Sequence, residues 1–367
     1  MKKALIVLLL IAVCLSACSC SLFEPKTYTV ALITSAAGIA DRSASQGVYR
    51  GISAYCEENG VSFKEYVPAD DSGESVEKQI KDAASHGAEL MIFAGERMGA
   101  HADYAAKKYT DIDILTVDCE PSSPTPRTHA VTFAVEQAAF LAGYAACSEG
   151  FTSLAFIAGE RNERSETYFN GFIRGIEQYV AENPLIIPTI SCWYTGLTGP
   201  DKKLEDTAIE LFNSGTQVAF VCGDGLYRSL NYAANVAKKQ LIGSGLNQAG
   251  FSERYITTAA CEYQRAAEEE LADYFKNGGW SANKAGKTAI LDISTDMVGL
   301  PNDFGSYRFK RFAAGAYETF YAKLKYGTLG VTVEKTLPEE LHCGIRYYPD
   351  GMGEETDAAE TSLVQSE

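Results

Sequence analysis

Residues 89–94, ELMIFA, and residues 153–158, SLAFIA, are the stretches that decide the fold. Each is a short apolar run without the polar alternation of a strand that has one face in water. Such runs are typical of parallel strands whose sheet is covered by helices on both faces. Residues 28–34 (YTVALIT) and 112–117 (IDILTV) have the same character. These runs predict an α/β protein built on parallel sheets.

Helical patterns fill the gaps between the apolar runs. Between Ser43 and Asn59, the apolar residues Val48, Ile52 and Cys56 recur four positions apart, which indicates one face of a helix. Further helices are predicted at 75–86, 99–108, about 135–148, 167–180, 204–213, 227–239, 263–275 and 307–326. Further strands are predicted at 61–67, 188–194, 218–222, 241–244 and near 256–260, and at 288–293.

The strand–helix alternation stops near residue 118 and starts again near residue 153. Two doubly wound units in tandem predict two Rossmann-like lobes joined by a hinge, which also suits a chain of 367 residues. We predict a first lobe from residues 28–118 with about 260–295, and a second lobe from residues 119–259 with about 296–348. Residues 349–367 are acidic, and we predict a disordered tail there.

The N-terminus carries an export signal. Two lysines precede an apolar run, residues 4–13, which is too short to span a bilayer. Leu15-Ser16-Ala17-Cys18 follows, and it resembles a bacterial lipobox. That resemblance implies a signal peptide over residues 1–17, a lipid on Cys18, and a lipid-attached tether over residues 18–27 on the extracytoplasmic side of the cell membrane. Ordinary secretory cleavage near Ala17 is the alternative.

Charge and composition exclude several classes of protein. Hydrophobic residues make up 46% and charged residues 22% of the chain, as expected for a globular protein. The net charge is −16, which repels a phosphate backbone, so we predict no nucleic-acid partner.

The cysteines and histidines do not form the patterns of a metal site or an enzyme. Seven cysteines after the tether are scattered singly, without a CxxC pair, so we predict buried thiols, with one disulfide as the alternative. The chain lacks GxSxG, HExxH and a P-loop. We therefore predict a protein that is not an enzyme and has no cofactor or metal.

Candidate ligand contacts follow the strands. In doubly wound sheets, ligands bind beyond the carboxyl ends of the strands. We therefore expect polar residues from both lobes to face a central cleft, with Tyr168 as an aromatic wall or, alternatively, a core residue. The candidates at the strand ends are Ser35, Asp41, Glu96, Arg97, Asp118, Arg161, Asp224, Asn247 and Glu262. Helix caps and turns are the alternative roles for such residues.

Several motifs resemble the basic membrane protein family of lipoproteins, which includes purine nucleoside receptors that serve ABC transporters. The strand at 30–34 with the loop GIADRS (38–43), the segment FAVEQAAFLAG (133–143), and FIAG (156–159) with FNGFIRG (169–175) carry the resemblance. It covers most of residues 28–330 and implies the type I periplasmic-binding-protein fold. It also implies that Asp118 contacts the ligand, with Asp41 and Gln46 supporting the loop.

The sequence departs from the family at other ligand contacts. Ser35 stands where the family usually has Asp, and Ala44 replaces a stacking Phe. Gly245 replaces a sugar-binding Asp, and Cys261 aligns with a Lys. A nucleoside needs a stacking partner for its base and a charged acceptor for its ribose, so these changes predict an altered ligand.

The features together predict a lipid-anchored, monomeric solute-binding protein. It would capture a small polar ligand, nucleoside-like by the family resemblance, and deliver it to an ABC transporter permease. A surface sensor or regulatory lipoprotein on the same fold is the alternative, and a surface enzyme would need a catalytic cluster that the motifs do not provide.

Overall fold

The apolar runs form the strands of two parallel sheets in a computed structural model that describes residues 27–349 except Asp41 and Asp224. The predicted signal peptide, Cys18 and almost all of the predicted tether and tail lie outside the described residues. Two of the candidate ligand contacts, Asp41 and Asp224, do so as well.

The first sheet has six parallel strands in the order β11-β5-β4-β3-β1-β2. Four of them come from the first predicted α/β unit, and β5 and β11 are added at one edge. The strands are β1 (Val30–Ile33), β2 (Phe63–Tyr66), β3 (Leu90–Ala94), β4 (Asp113–Val117), β5 (Thr128–Phe133) and β11 (Lys287–Leu291).

The second sheet has seven strands in the order β12-β10-β9-β8-β6-β7-β13, and β12 alone runs antiparallel to its neighbour. Its strands are β6 (Ser153–Ala158), β7 (Thr189–Tyr194), β8 (Val218–Cys222), β9 (Gln240–Gly245), β10 (Tyr255–Cys261), β12 (Val298–Gly299) and β13 (Gly344–Tyr347).

The helices cover the faces of the two sheets. They are α1 (Ala44–Asn59), α2 (Gly73–Ser85), α3 (Gly99–Lys108), α4 (Val135–Glu149), α5 (Glu163–Glu182), α6 (Lys202–Asn213), α7 (Tyr227–Ala237), α8 (Tyr263–Asn277) and α9 (Ala314–Lys325). The strand cores are fully buried, as the apolar runs predicted: every residue of β1, β3, β8 and β10 is buried. None of the described helices is long and apolar enough to cross a membrane.

The chain crosses between the lobes at three places. It leaves the first sheet after β5 to form α4, returns from β10 of the second sheet to form α8, and leaves again after β11 towards β12. Gln137 at the start of α4 accepts a hydrogen bond from the Ile293 amide at 2.9 Å. This bond ties two of the crossings together.

Helices α4 and α5 approach each other to backbone contact in the second lobe. A Cβ built on Gly175 would lie 1.9 Å from the Phe140 carbonyl oxygen, and one on Gly143 would lie 2.1 Å from that of Phe172. Gly171 makes the same kind of contact, with its Cβ position 2.3 Å from the Glu136 carbonyl oxygen. Glycine is therefore required at all three positions, because any side chain would push the helices apart.

Two sequence-based assignments differ from the structure. The predicted boundary at residue 118 placed β5 in the second lobe, whereas β5 pairs with β4 in the first sheet. The predicted helix over 307–326 begins only at Ala314. Before it, the Glu149 carboxylate accepts the backbone N–H groups of Lys310, Arg311 and Phe312, and so holds this segment in a loop.

The seven cysteines of the described chain are all buried, and no disulfide joins them there. They are Cys56, Cys119, Cys147, Cys192, Cys222, Cys261 and Cys343. Among residues 27–349, with the two undescribed positions left out, His, Cys, Asp and Glu side chains form no group of three that could hold a metal ion.

We expect Gly175→Ala to lower the free energy of unfolding by about 3 kcal/mol, because its methyl group has to displace the backbone of α4. Urea unfolding followed by circular dichroism measures this. The matched control is Gly315→Ala in the first turn of α9, where a Cβ meets nothing within 4 Å. Equal stability of the two variants would contradict the close packing of α4 on α5.

Candidate functional site

Polar residues from both lobes meet where the strands of the first sheet end. Glu96 and Asp118 follow β3 and β4, and they face the first turn of α5, which begins after β6 of the second sheet. Hydrogen bonds join these groups across the space between the lobes. The carboxyl ends of the strands therefore border the cleft, as the doubly wound topology predicts.

Asp118 is the centre of this arrangement. It is only 6% exposed, and its backbone has a left-handed φ of 65°, which Asp tolerates better than most residues. One carboxylate oxygen, Oδ1, accepts from Nη1 of Arg164 on α5. The other, Oδ2, accepts from the Tyr263 hydroxyl at 2.8 Å, and Nη2 of Arg164 donates to the same hydroxyl at 3.1 Å. Each of the three side chains is thus bonded to the other two.

Burial governs the electrostatics of this cluster. Desolvation raises the pKa of Asp118, although Arg164 and Tyr263 act in the opposite direction. Burial alone would lower the pKa of Arg164, but the Asp118 charge holds it well above its usual value. Burial also raises the pKa of Tyr263, so its hydroxyl remains a donor. An ion pair in such surroundings contributes little net stability but is costly to break on one side only.

Tyr168 lies beneath the cluster. It is 1% exposed, and its ring lies 5.4 Å from the Arg164 guanidinium, within the range of a cation–π contact. Its hydroxyl lies 3.9 Å from the Cys261 sulfur. The structure thus favours the core position over an open aromatic wall, and Tyr168 supports Arg164 from below.

Glu96 and Asn162 make a second contact between the lobes. Asn162 caps α5, since its Oδ1 accepts from the Ser165 amide at 2.9 Å, while its Nδ2 donates to Glu96. Desolvation by the surrounding protein raises the pKa of Glu96, against the opposing effect of Arg164, although solvent still reaches its side chain. One helix terminus therefore presents both Asn162 and Arg164 to the two carboxylates.

Tyr263 crowds the position where the family resemblance implies a sugar-binding acid. Gly245 has a φ of 72°, and a Cβ there would lie 3.2 Å from the Tyr263 hydroxyl oxygen. The side chain of an aspartate at Gly245 would therefore meet this hydroxyl.

Other predicted contacts serve the loops around the cleft. Gln46 donates to the Ile39 carbonyl at 2.9 Å, which holds the loop after β1. The Ser35 carbonyl accepts from the Gly38 amide at 3.0 Å in the same loop. The Asn247 amide group donates to Ser306 at 2.9 Å.

The remaining candidates are near the cleft but outside the Asp118 cluster. Arg161, which lies just before α5, donates to Glu166 on that helix at 2.9 Å and lies over the Tyr194 ring. Arg97 is exposed beside Glu96, and Glu262 is exposed at the start of α8.

Arg164 and Tyr263 are the residues that the sequence analysis missed. Each lies just past a predicted contact: Arg164 is the second residue of α5, three positions after Arg161, and Tyr263 directly follows Glu262. A search extended into the first turn of the following helix would have found both.

A recess of about 10 Å³, which has room for about one water molecule, lies between the ends of β8 and β9 and the loop after β1. Gln248 donates across it to the Arg42 carbonyl at 3.1 Å, and the Arg42 guanidinium lies 5.1 Å from the Phe251 ring. This volume is below the roughly 300–1,000 Å³ of sites that hold a drug-sized ligand. A larger ligand therefore requires the lobes to separate first.

Comparisons with known proteins agree with this architecture. The family described as ABC transporter substrate-binding protein PnrA-like matches residues 28–314. The ABC transporter nucleoside-binding protein BmpA of Lactococcus lactis subsp. cremoris (strain MG1363) is 23% identical over 270 residues, which cover 68% of this chain and 75% of that protein.

Solved structures with the same fold include proteins of different roles. An ABC transporter solute-binding protein from Aeropyrum pernix K1 superposes with a TM-score of 0.65 at 16% identity, covering 83% of this chain and 92% of that one. A transcriptional activator of the comK gene from Bacillus halodurans reaches 0.64 at 15% identity, covering 82% and 97%. At these identities the similarity shows the fold alone.

Two doubly wound lobes with a polar cleft at their strand ends define a type I periplasmic-binding-protein fold, as predicted. The family match extends over most of both lobes. The chain belongs to the family of PnrA-like ABC transporter substrate-binding proteins, which confirms the resemblance noted in the sequence.

We expect Arg164→Gln to separate the lobes, because it leaves Asp118 buried without its counter-ion, at a cost of about 3–5 kcal/mol in the closed arrangement. Small-angle X-ray scattering measures this as an increased radius of gyration. Arg127→Gln is the matched control, since Arg127 pairs with Asp113 at 3.2 Å within the first lobe and is half exposed. If the two variants scatter alike, the Asp118–Arg164 pair does not hold the lobes together.

Proposed function

We propose that the protein captures a small polar solute between its lobes and passes it to the permease of an ABC transporter. The observation that carries this proposal is the contact of Asp118 in one lobe with Arg164 in the other, at the strand ends where doubly wound sheets bind ligands. Membership of a substrate-binding family supports the transport role.

Binding would proceed by closure about the hinge. The groups that bridge the lobes, Asp118 with Arg164 and Glu96 with Asn162, meet only when the lobes are close. In the open state they are hydrated and accessible to a solute. A solute that contacts both walls favours the closed state by its differential affinity, and the closed protein presents one surface to the permease.

The relative from Lactococcus is named for nucleoside binding, so nucleosides are the first class of solute to examine. Ala44, which stands where the family has a stacking Phe, is buried and offers no ring to a base. The charged groups of the cleft are therefore the main source of ligand specificity in this chain.

Export and membrane attachment complete the proposal. The N-terminal run of residues 4–13 and the Leu15–Cys18 motif support cleavage before Cys18 and lipid attachment to its sulfur. A lipid anchor would hold the binding protein close to its permease and raise its effective concentration there.

A ligand screen by thermal unfolding tests solute capture. A solute at 100 times its Kd adds about 2.7 kcal/mol to the stability of a protein that binds it only when folded. We expect at least one class among nucleosides, nucleobases, sugars, amino acids and short peptides to raise the Tm and to reduce the radius of gyration. A change of Tm without closure would favour a sensor, and no response to any class would contradict solute capture.

We expect Cys18→Ala to release the protein from the membrane fraction and to abolish labelling by radioactive palmitate, because the lipid acceptor is lost. Cell fractionation with immunodetection measures the first effect. Cys20→Ala, two residues further on, is the matched control and should remain membrane-bound. Membrane association of both variants at the same level would contradict lipid attachment at Cys18.

A further inference from the structure

We propose that the cleft selects a zwitterionic solute such as a free amino acid, with its carboxylate on Arg164 and its ammonium group on Asp118. This inference rests on the proposed capture of a solute between the lobes and names its chemical class.

The buried contact between the lobes brings opposite charges together, while Arg97 beside Glu96 and Glu160 before α5 add a second charge of the other sign to each wall. The first lobe contributes the carboxylates of Glu96 and Asp118 from neighbouring strand ends. The second lobe contributes the Arg164 guanidinium in the first turn of α5, a helix of 20 residues whose N-terminal dipole adds positive potential. A solute that enters at this contact therefore meets the Asp118 carboxylate on one side and the Arg164 guanidinium on the other.

Asp118 and Arg164 neutralise each other in the closed structure, as described above. A solute that enters between them has to replace this contact on both sides, because a buried charge without a partner strongly disfavours closure. A nucleoside or a sugar can donate hydroxyl groups to Asp118, but it brings no anion to Arg164. A zwitterion brings a carboxylate to the guanidinium, in the bidentate geometry that Arg favours, and an ammonium group to the aspartate.

The surrounding contacts keep both charges in place for this exchange. Tyr263 donates to Oδ2 of Asp118, which leaves Oδ1, now occupied by Arg164, as the position for the ammonium group. Tyr168 supports the guanidinium through its ring and does not compete for its N–H donors. One internal ion pair is thus replaced by two ion pairs to the solute. Tyr263 keeps its bond to Asp118 and gives up the one from Arg164.

The test is calorimetric titration of the purified protein with each of the twenty L-amino acids, and with adenosine, inosine, uridine and glucose. We expect at least one amino acid to bind. Its N-acetyl derivative, which lacks the ammonium charge, and its amide, which lacks the carboxylate, should each bind at least 100-fold more weakly.

Variants test whether Arg164 and Asp118 are the groups that bind the amino acid. We expect Arg164→Gln and Asp118→Asn each to weaken binding of the same amino acid at least 100-fold. Arg127→Gln should bind with unchanged affinity. It is a close match, because Asp113 accepts from Arg127 and from the Tyr274 hydroxyl at 3.0 Å, as Asp118 does from Arg164 and Tyr263, but inside a single lobe.

Three results would overturn the inference. Binding of a nucleoside or glucose without any amino acid would leave solute capture intact and refute the zwitterion. The inference would also be refuted if Arg164→Gln did not weaken binding of the amino acid, or if its N-acetyl derivative or its amide bound as tightly as the amino acid itself. Failure of every solute to bind would count against both the inference and the proposed function. If a variant does not fold, titration of the unchanged protein with the N-acetyl derivative and the amide still decides whether both charges of the solute are needed.

Discussion

The backbone contact between α4 and α5 is the constraint on which the cleft depends. Helix α4 follows β5 of the first sheet after a single residue, and it packs in the second lobe. Gly171 and Gly175 let α5 lie directly against it, without intervening side chains. The first turn of α5 therefore has a fixed position relative to α4. From this position Arg164 reaches Asp118 when the lobes are together.

The Asp118–Arg164 ion pair orients the two lobes more than it stabilises the fold. Its two charges are removed from water, and the gain from their attraction is largely offset by that cost. The arrangement nevertheless fixes which surfaces face each other when the lobes close, since only one register satisfies both groups. The second contact, Glu96 with Asn162, shares the same helix terminus and so reinforces the same register.

Much of the fold could be predicted from the sequence, because apolar runs and helical spacing report burial directly. The exceptions include the short strands β12 and β13, and β5, whose sequence THAVTF mixes polar and apolar residues and follows a segment with three prolines. The site was less predictable. Asp118 was named from its strand end, but its partners Arg164 and Tyr263 depend on how two helices approach from different crossings. Spacing along the chain does not show how these two helices approach each other. Nor does the glycine at position 245 indicate that the Tyr263 hydroxyl lies beside it.

The buried cysteines have a practical consequence. Burial raises the thiol pKa to about 11 at Cys56 and to about 12 at Cys147 and Cys261, so these groups carry almost no thiolate at neutral pH. Thiolate is the nucleophile that reacts with alkylating dyes. A single cysteine introduced on the rim of the cleft would therefore be far more reactive than the thiols of the two lobes. A fluorophore attached there would turn this scaffold into an optical biosensor for its own solute.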